Sequence, residues 1–249
     1  MDYMRDSKTN NKWVMERLVP ERVPWYGKKT ISDHLARYQF AAQLVSNKKV
    51  LDIACGSGYG TQLLARAGAS QVIGIDISQT TINYAKEKYS HPKVKFVIGD
   101  ACKINLTDNC LDIVVSFETL EHLQNYQTFL SEIHRILKPK GICLISTPNN
   151  LLSDETCNEF HLHQFSQAQF LKDLSKHFTL LDLYGQKPMH SGYLNLVRNI
   201  TAKISNKFIK WFIDSALKCM FRGVKIQKIE TIKNGFVPAF FIAKCQKYD

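Results

Sequence analysis

This 249-residue chain has no run of about 18 or more apolar residues, so no helix in it should span a bilayer. Its N-terminal stretch, MDYMRDSKTNNK, lacks the apolar core of a secretory signal. It has seven cysteines, an odd number, and no CxxC pair. A disulfide framework and a zinc-binding cysteine site are therefore not expected, and the thiols read as reduced and cytoplasmic. There is no internal repeat and no low-complexity tract. Acidic residues are scarce in one region only. Residues 188–249 hold 11 Lys and Arg against 3 Asp and Glu, residues 48–187 hold 14 against 14, and residues 1–47 hold 8 against 5. The formal charge of +11 therefore belongs mostly to the C-terminal quarter, where an anionic partner should be sought.

The middle of the chain alternates strands and helices. Strands are predicted at 49–54, 71–76, 94–98, 111–117 and 142–147. Helices are predicted at 59–67, at 78–88 with Ser78 as N-cap, and at 126–137, where Pro139 and Gly141 stop the last one. A further helix is expected around 166–178, then strands at 178–186 and 236–246. The rhythm predicts an α/β fold: a Rossmann-like, seven-stranded, mostly parallel sheet with helices on both faces. About 49 residues separate the last two strands, too many for a hairpin loop, so an inserted substructure is expected there.

The run VLDIACGSGYG, from Val50 to Gly60, reads as a strand that turns on three glycines into a helix. VIGIDIS then places Asp76 at the end of the next strand. Together they make a nucleoside-binding βαβ unit. A dinucleotide fingerprint, GxGxxG or GxGxxA, would need Gly or Ala where Thr61 stands, with Gly60 just before it. It also has no place for Asp52.

LDIACGSGYG, GIDIS, IGDA, VVSFETLEHL and LKPKGICLISTPN, in this order, resemble the successive motifs of class I S-adenosylmethionine (SAM)-dependent methyltransferases over roughly residues 30–187. The resemblance implies SAM as cofactor. It puts Asp52 near the amino end of the methionine moiety, with Gly56 and Gly58 letting the backbone approach the ligand. Asp76 would accept the ribose hydroxyls, Asp100 followed by Ala101 would lie near the adenine amino group, and Phe117 would flank the donor. Ala54 and Ile77 join this cofactor-binding set. SAM has no phosphate but carries a sulfonium and an ammonium, which carboxylates at strand ends suit.

Methyl transfer to a hydroxyl needs alignment of donor and acceptor and removal of a proton. Two clusters are candidate catalytic groups: Glu118 with Glu121 and His122 directly after the fourth strand, and His161 with His163 after the fifth. If the first is a helical turn, Glu118 and Glu121 share a face with His122 beside them. The ExxEH pattern resembles ubiquinone-type O-methyltransferases, and also the small-RNA 3′-end methyltransferases. In the latter, ExxEH and a later histidine before phenylalanine hold a divalent metal, a part His163 could play. Here His122 is followed by Leu123, so that signature is incomplete. The pattern admits metal-binding, general-base (His161 or His163) and loop-tying readings.

A helix is predicted over 31–44. In this fold such a helix covers the donor pocket, and His34, Arg37 and Tyr38 would reach SAM or its substrate, or simply pack. ER…P…HLARY with STPN and FHLHQF resembles methyltransferases associated with cell-surface polysaccharide biosynthesis. Residues 194–221 carry apolar positions at helical spacing opposite Lys203, Lys207, Lys210 and Lys218. With the basic run that follows, to residue 233, this insertion reads as a lid, as a surface for anionic membrane, or, behind these, as a nucleic-acid contact. The expected organisation is an N-terminal segment and covering helix (1–47), a SAM-binding core (48–187), a basic helical insertion (188–235) and a last core strand (236–249). The expected function is methyl transfer to a hydroxyl, with a small-molecule or glycan acceptor such as a sugar precursor, in the cytoplasm or peripheral to the membrane. Two alternatives stand beside it: a small-molecule or quinone-type O-methyltransferase, and a non-catalytic SAM-binding protein acting through the insertion on membrane or RNA.

Overall fold

The computed structural model describes residues 28–150, 160–190, 226–232 and 236–248. The elements in chain order are α1 (Lys28–Ala42), β1 (Lys49–Ile53), α2 (Tyr59–Arg66), β2 (Gln71–Asp76), α3 (Gln79–Lys88), β3 (Val94–Ile98), β4 (Leu111–Phe117), α4 (Tyr126–Ile136), β5 (Leu137–Pro148), α5 (Gln167–Leu174), β6 (Phe178–His190), β7 (Ile226–Lys228) and β8 (Phe236–Lys247). They form one mixed sheet in the order β3-β2-β1-β4-β5-β8-β6-β7. β1 to β5 are mutually parallel, while β8 runs antiparallel to both β5 and β6. The chain builds outward from β1 to β3, then returns to lay β4 on the other side of β1. That reversal opens a crevice beyond the carboxyl ends of β1 and β4.

Both faces of the sheet are covered, so its strands are apolar nearly throughout. Alternate residues go to opposite sides. Leu51, Val114, Cys143, Ile145, Phe241 and Ala243 pack with Phe129, Leu130 and Ile133 of α4 and Phe170 of α5. Val50, Val115, Leu144 and Ile242 pack with Tyr38 and Ala41 of α1 and Leu64 of α2. Helix starts are set locally. Ser78, Asn125 and Ser166 each accept a backbone N–H from the first turn of α3, α4 and α5.

Three expectations need correction. The sheet has eight strands, not seven. The extra one, β7, lies within the stretch read as a helical insertion and pairs antiparallel with Tyr184–Gln186 of β6. Three residues, IQK, are too short to carry a strand period. Second, β6 extends to His190, beyond the expected end at 186, because β8 pairs with it that far. Third, residues Leu137–Gly141 belong to β5, with Leu137 pairing to Leu111 across a register shift. Most of the basic insertion, 191–225, lies outside the described residues, as does the segment before α1. No helix among the described residues is long and apolar enough to cross a membrane.

Candidate active site

The glycine turn leaves β1 at Ile53 and enters α2 at Tyr59. Its three glycines serve different ends. Gly56 has φ 55°, and a β-carbon there would meet nothing within 4 Å, so this backbone faces open space. Gly58, with φ 92°, caps α2, and a β-carbon on it would lie 2.7 Å from the Ala85 methyl and 2.8 Å from the Phe96 ring. A β-carbon on Gly60 would strike the Tyr38 ring. Only Gly56 therefore faces open space; at positions 58 and 60 glycine is demanded by packing. Ala54, solvent-exposed, is also left-handed at φ 58°.

Asp52 is fully buried and accepts hydrogen bonds from Thr61 Oγ1 (2.6 Å) and the Tyr38 hydroxyl (3.0 Å). Burial pushes its carboxyl up to about 7, with the two hydroxyl donors pulling the other way and Asp76 adding to the rise. Thr61, the residue that breaks the dinucleotide fingerprint, is thus a donor to the acid of the same turn. Asp76 closes β2. Its Oδ2 accepts the Gly56 N–H (3.0 Å) and its Oδ1 the Ser78 N–H (2.9 Å). Those two backbone donors fix the carboxylate beside the open backbone at Gly56. Ile77 beside it is 69% exposed, a large apolar surface suited to a flat base. Asp100, just past β3, is exposed and accepts the Cys102 N–H at 2.8 Å, while Ala101 packs against the core. Phe117, at the end of β4, is buried edge-on to Tyr38, ring centroids 5.2 Å apart.

The condition for Glu118 and Glu121 to share a helical face is not met. Glu118 is left-handed (φ 54°), and the short 3-10 turn spans only Leu120–His122. The reason is β5: the Glu118 N–H bonds Ser146 (3.1 Å to Oγ), and the Ser146 hydroxyl donates back to Glu118 Oε1 at 2.7 Å. Glu121 is buried. Its Oε2 accepts from Thr147 Oγ1 (3.1 Å), and its Oε1 has no hydrogen-bond partner. Burial, then the charge of Glu118, pushes its carboxyl well above the usual range. Its backbone carbonyl accepts the N–H groups of Leu162 (2.8 Å) and His163 (3.1 Å), which ties down the histidine loop.

The two loop histidines then part company. The His161 ring lies edge-on to His122, centroids 4.9 Å apart. His163 packs on Tyr126 (4.7 Å) and approaches the Gln124 carbonyl (3.4 Å). Of the two, His161 is the one that lies with Glu121 and His122, one ligating atom of each within 4.8 Å of the others. The even spacing of HLH gives no signal for choosing between them.

A further cluster was only partly legible. Arg37 of α1 is fully buried, and its Nη1 donates to Gln186 Oε1 at 2.6 Å. The guanidinium sits over the Phe240 ring, 4.8 Å from its centroid, while Nε and Nη2 have no partner. Its positive charge opposes the burial-driven rise of both Tyr59 and Glu121. Asp33, one turn earlier on α1, pairs with Lys187. Gln186 and Phe240 carried no sequence signal, since 149 positions separate Arg37 from Gln186.

The strand-order reversal, the glycine turn and Asp76 at the next strand end define an α/β nucleoside-binding protein. Residues 51–145 match the family model described as "Methyltransferase domain". A protein named "Probable S-adenosylmethionine-dependent methyltransferase" from Mycolicibacterium smegmatis is 32% identical over 168 residues, covering 62% of this chain and 64% of that protein. The phthiotriol/phenolphthiotriol dimycocerosates methyltransferase of Mycobacterium tuberculosis is 32% identical over 55% of this chain and 53% of its own. A fatty-acid O-methyltransferase of M. smegmatis is 33% identical over 45% and 44%. These matches span under two thirds of the length of the curated relatives. In fold, the chain is similar to an S-adenosylmethionine-dependent methyltransferase from Mesorhizobium loti, with TM-score 0.59, 16% identity, and 86% and 100% of the two chains covered. The chain therefore carries, over residues 51–145, a methyltransferase domain of the class I SAM-dependent kind, whose cofactor is SAM.

Proposed function

We propose that this protein transfers the methyl group of SAM to an acceptor hydroxyl, with a sugar or glycan precursor as the acceptor class. The observation that carries the donor half is the placement of Asp76, held at the carboxyl end of β2 by the Gly56 and Ser78 N–H groups, directly beside the open backbone at Gly56. SAM supplies the electrophilic methyl group. The chain holds and orients it. Asp76 takes the ribose, Ile77 and Asp100 flank the base, and Gly56 permits close backbone approach. The unpaired guanidinium nitrogens of buried Arg37 suit the methionine carboxylate. Asp52 lies below the turn and keys it to α1. The acceptor side is the far half of the crevice, where the hydroxyl proton leaves toward the Glu121, His122 and His161 cluster.

The glycan reading rests on the sequence likeness around residues 34–38 and 146–165. A second reading, a lipid acceptor, is favoured by the names of two relatives, a fatty-acid O-methyltransferase and a phthiotriol dimycocerosates methyltransferase. Both readings fit a basic insertion that touches an anionic membrane. The experiment is calorimetric SAM binding followed by transfer of radiolabelled methyl to three acceptor pools: sugar precursors, lipid hydroxyls and fatty acids. Label in the sugar pool supports the proposal, and label confined to lipids replaces it with the second reading. No SAM binding by the wild-type protein overturns both.

A further inference from the structure

Glu121 is buried to 2% exposure, yet one of its carboxyl oxygens, Oε1, meets no donor. Buried polar atoms are almost always satisfied, so an orphan oxygen in a crevice points to a missing ligand. The neighbouring imidazole is aimed to help. His122 Nδ1 lies 3.0 Å from the Phe160 carbonyl, which can only accept, so Nδ1 carries the proton and Nε2 carries the lone pair. That Nε2 is 3.9 Å from Glu121 Oε1. One ligating atom each from Glu121, His122 and His161 lie within 4.8 Å of one another. Among the described residues no other three His, Cys, Asp or Glu side chains come together in this way.

We propose that Glu121, His122 and His161 hold a divalent transition-metal cation. One carboxylate oxygen and two imidazole nitrogens suit Zn, Mn, Fe or Co rather than Mg or Ca, which prefer all-oxygen shells. The Phe160 carbonyl is the outer partner that orients the His122 ring, as metal-bound imidazoles generally require. Metal–ligand bonds of roughly 2.0–2.2 Å would draw the three donor atoms together by about 1 Å from their present spacing. Glu118 is not in the set, because Ser146 holds its carboxylate and its left-handed backbone turns it onto β5. His163 is not in it either, being packed on Tyr126. Three protein ligands leave coordination positions open. For what the ion does, the inference rests on the methyl-transfer reading: an acceptor oxygen in an open position loses its proton more readily. The binding of the ion does not depend on that reading.

The test uses the full chain after chelation and dialysis, titrated with Mn2+ alone and with Zn2+ alone, by calorimetry and, for Mn2+, by electron paramagnetic resonance. One ion per chain is expected. Glu121→Gln and His161→Asn should each weaken it at least tenfold, while Glu118→Gln and His163→Gln should bind as wild type. Circular dichroism melts and SAM titration of the same variants report whether each one folds. A wild-type protein that takes up no stoichiometric ion overturns the proposal. So does unchanged affinity in folded Glu121→Gln and His161→Asn, or loss of the ion in Glu118→Gln. Ion binding without SAM binding sinks the methyl-transfer reading and leaves the metal site standing.

Discussion

The ring of Tyr38 fills the space that a β-carbon on Gly60 would need, and its hydroxyl reaches past it to Asp52 at 3.0 Å. The covering helix α1 is therefore keyed directly into the glycine turn. Gly60→Ala should destabilise the fold by about 1–3 kcal/mol, the usual cost of overpacking. Combined with Tyr38→Ala it should cost less than the sum of the two changes, because the collision is gone. Urea melts of the two single variants and the double variant measure this; strict additivity would contradict the packing described.

Asp76→Ala removes the acceptors for the Gly56 and Ser78 N–H groups and for the ribose. Hydrogen bonds to a charged group are worth about 1.5–3 kcal/mol each. SAM affinity should fall by roughly 30-fold or more, read by calorimetry. Asp76→Asn, which keeps one acceptor oxygen, should lie between. Wild-type affinity in Asp76→Ala would remove the residue from the donor site.

Asp52 gives a pH signature. Its folded carboxyl, pushed up to about 7 by burial, sits above the unfolded value near 3.9. The folded state then binds the extra proton between these values, so its contribution to stability is full below about pH 4 and is lost as pH rises toward 7. The change is on the order of 3–4 kcal/mol. Thermal melts across pH 4–8 should show wild type losing ground to Asp52→Asn over that window and running parallel above it. A difference that grows in the opposite direction would refute the assignment.

Ala54 stands left-handed at φ 58°, a conformation that costs a residue with a β-carbon about 1–2 kcal/mol. Glycine relieves the strain at some cost in unfolded-chain entropy. Ala54→Gly should raise the melting temperature by a few degrees, with the donor site intact by SAM titration. A lowered melting temperature would mean that this backbone is not strained.

The charge of residues 188–249 predicts retention of the protein on anionic vesicles at low salt and release at high salt. Flotation on neutral and anionic liposomes reads this directly. Equal behaviour on the two would leave the insertion as a lid.

Strands β1 to β5 and the Ser78 cap were legible because each rests on a local rule: two-sided burial, a capping hydroxyl, a glycine turn. The acids Asp52, Asp76 and Asp100 were legible because they sit at the ends of those strands. What escaped was set by distant neighbours. Glu118 looks helical in ETLEH, but Ser146, 28 positions away, holds it out of the turn. Arg37 finds Gln186 only after β6 has been laid into the sheet. The choice of His161 over His163 depends on how the Glu121 carbonyl grips the loop.

The placement of β8 between β5 and β6 sets an order of assembly. β1 to β5 pair with one another without help from later residues, so the donor half of the crevice can form while the chain is still emerging from the ribosome. Among the described residues β6 pairs with β8 and β7 alone, so its backbone cannot join the sheet until β8 has been made. Neither Gln186 nor Phe240 can reach Arg37 until residues 236–247 arrive. A nascent chain stalled before that point would present the open edge of β5 and a guanidinium without its aromatic cover. Such a chain should depend on chaperones.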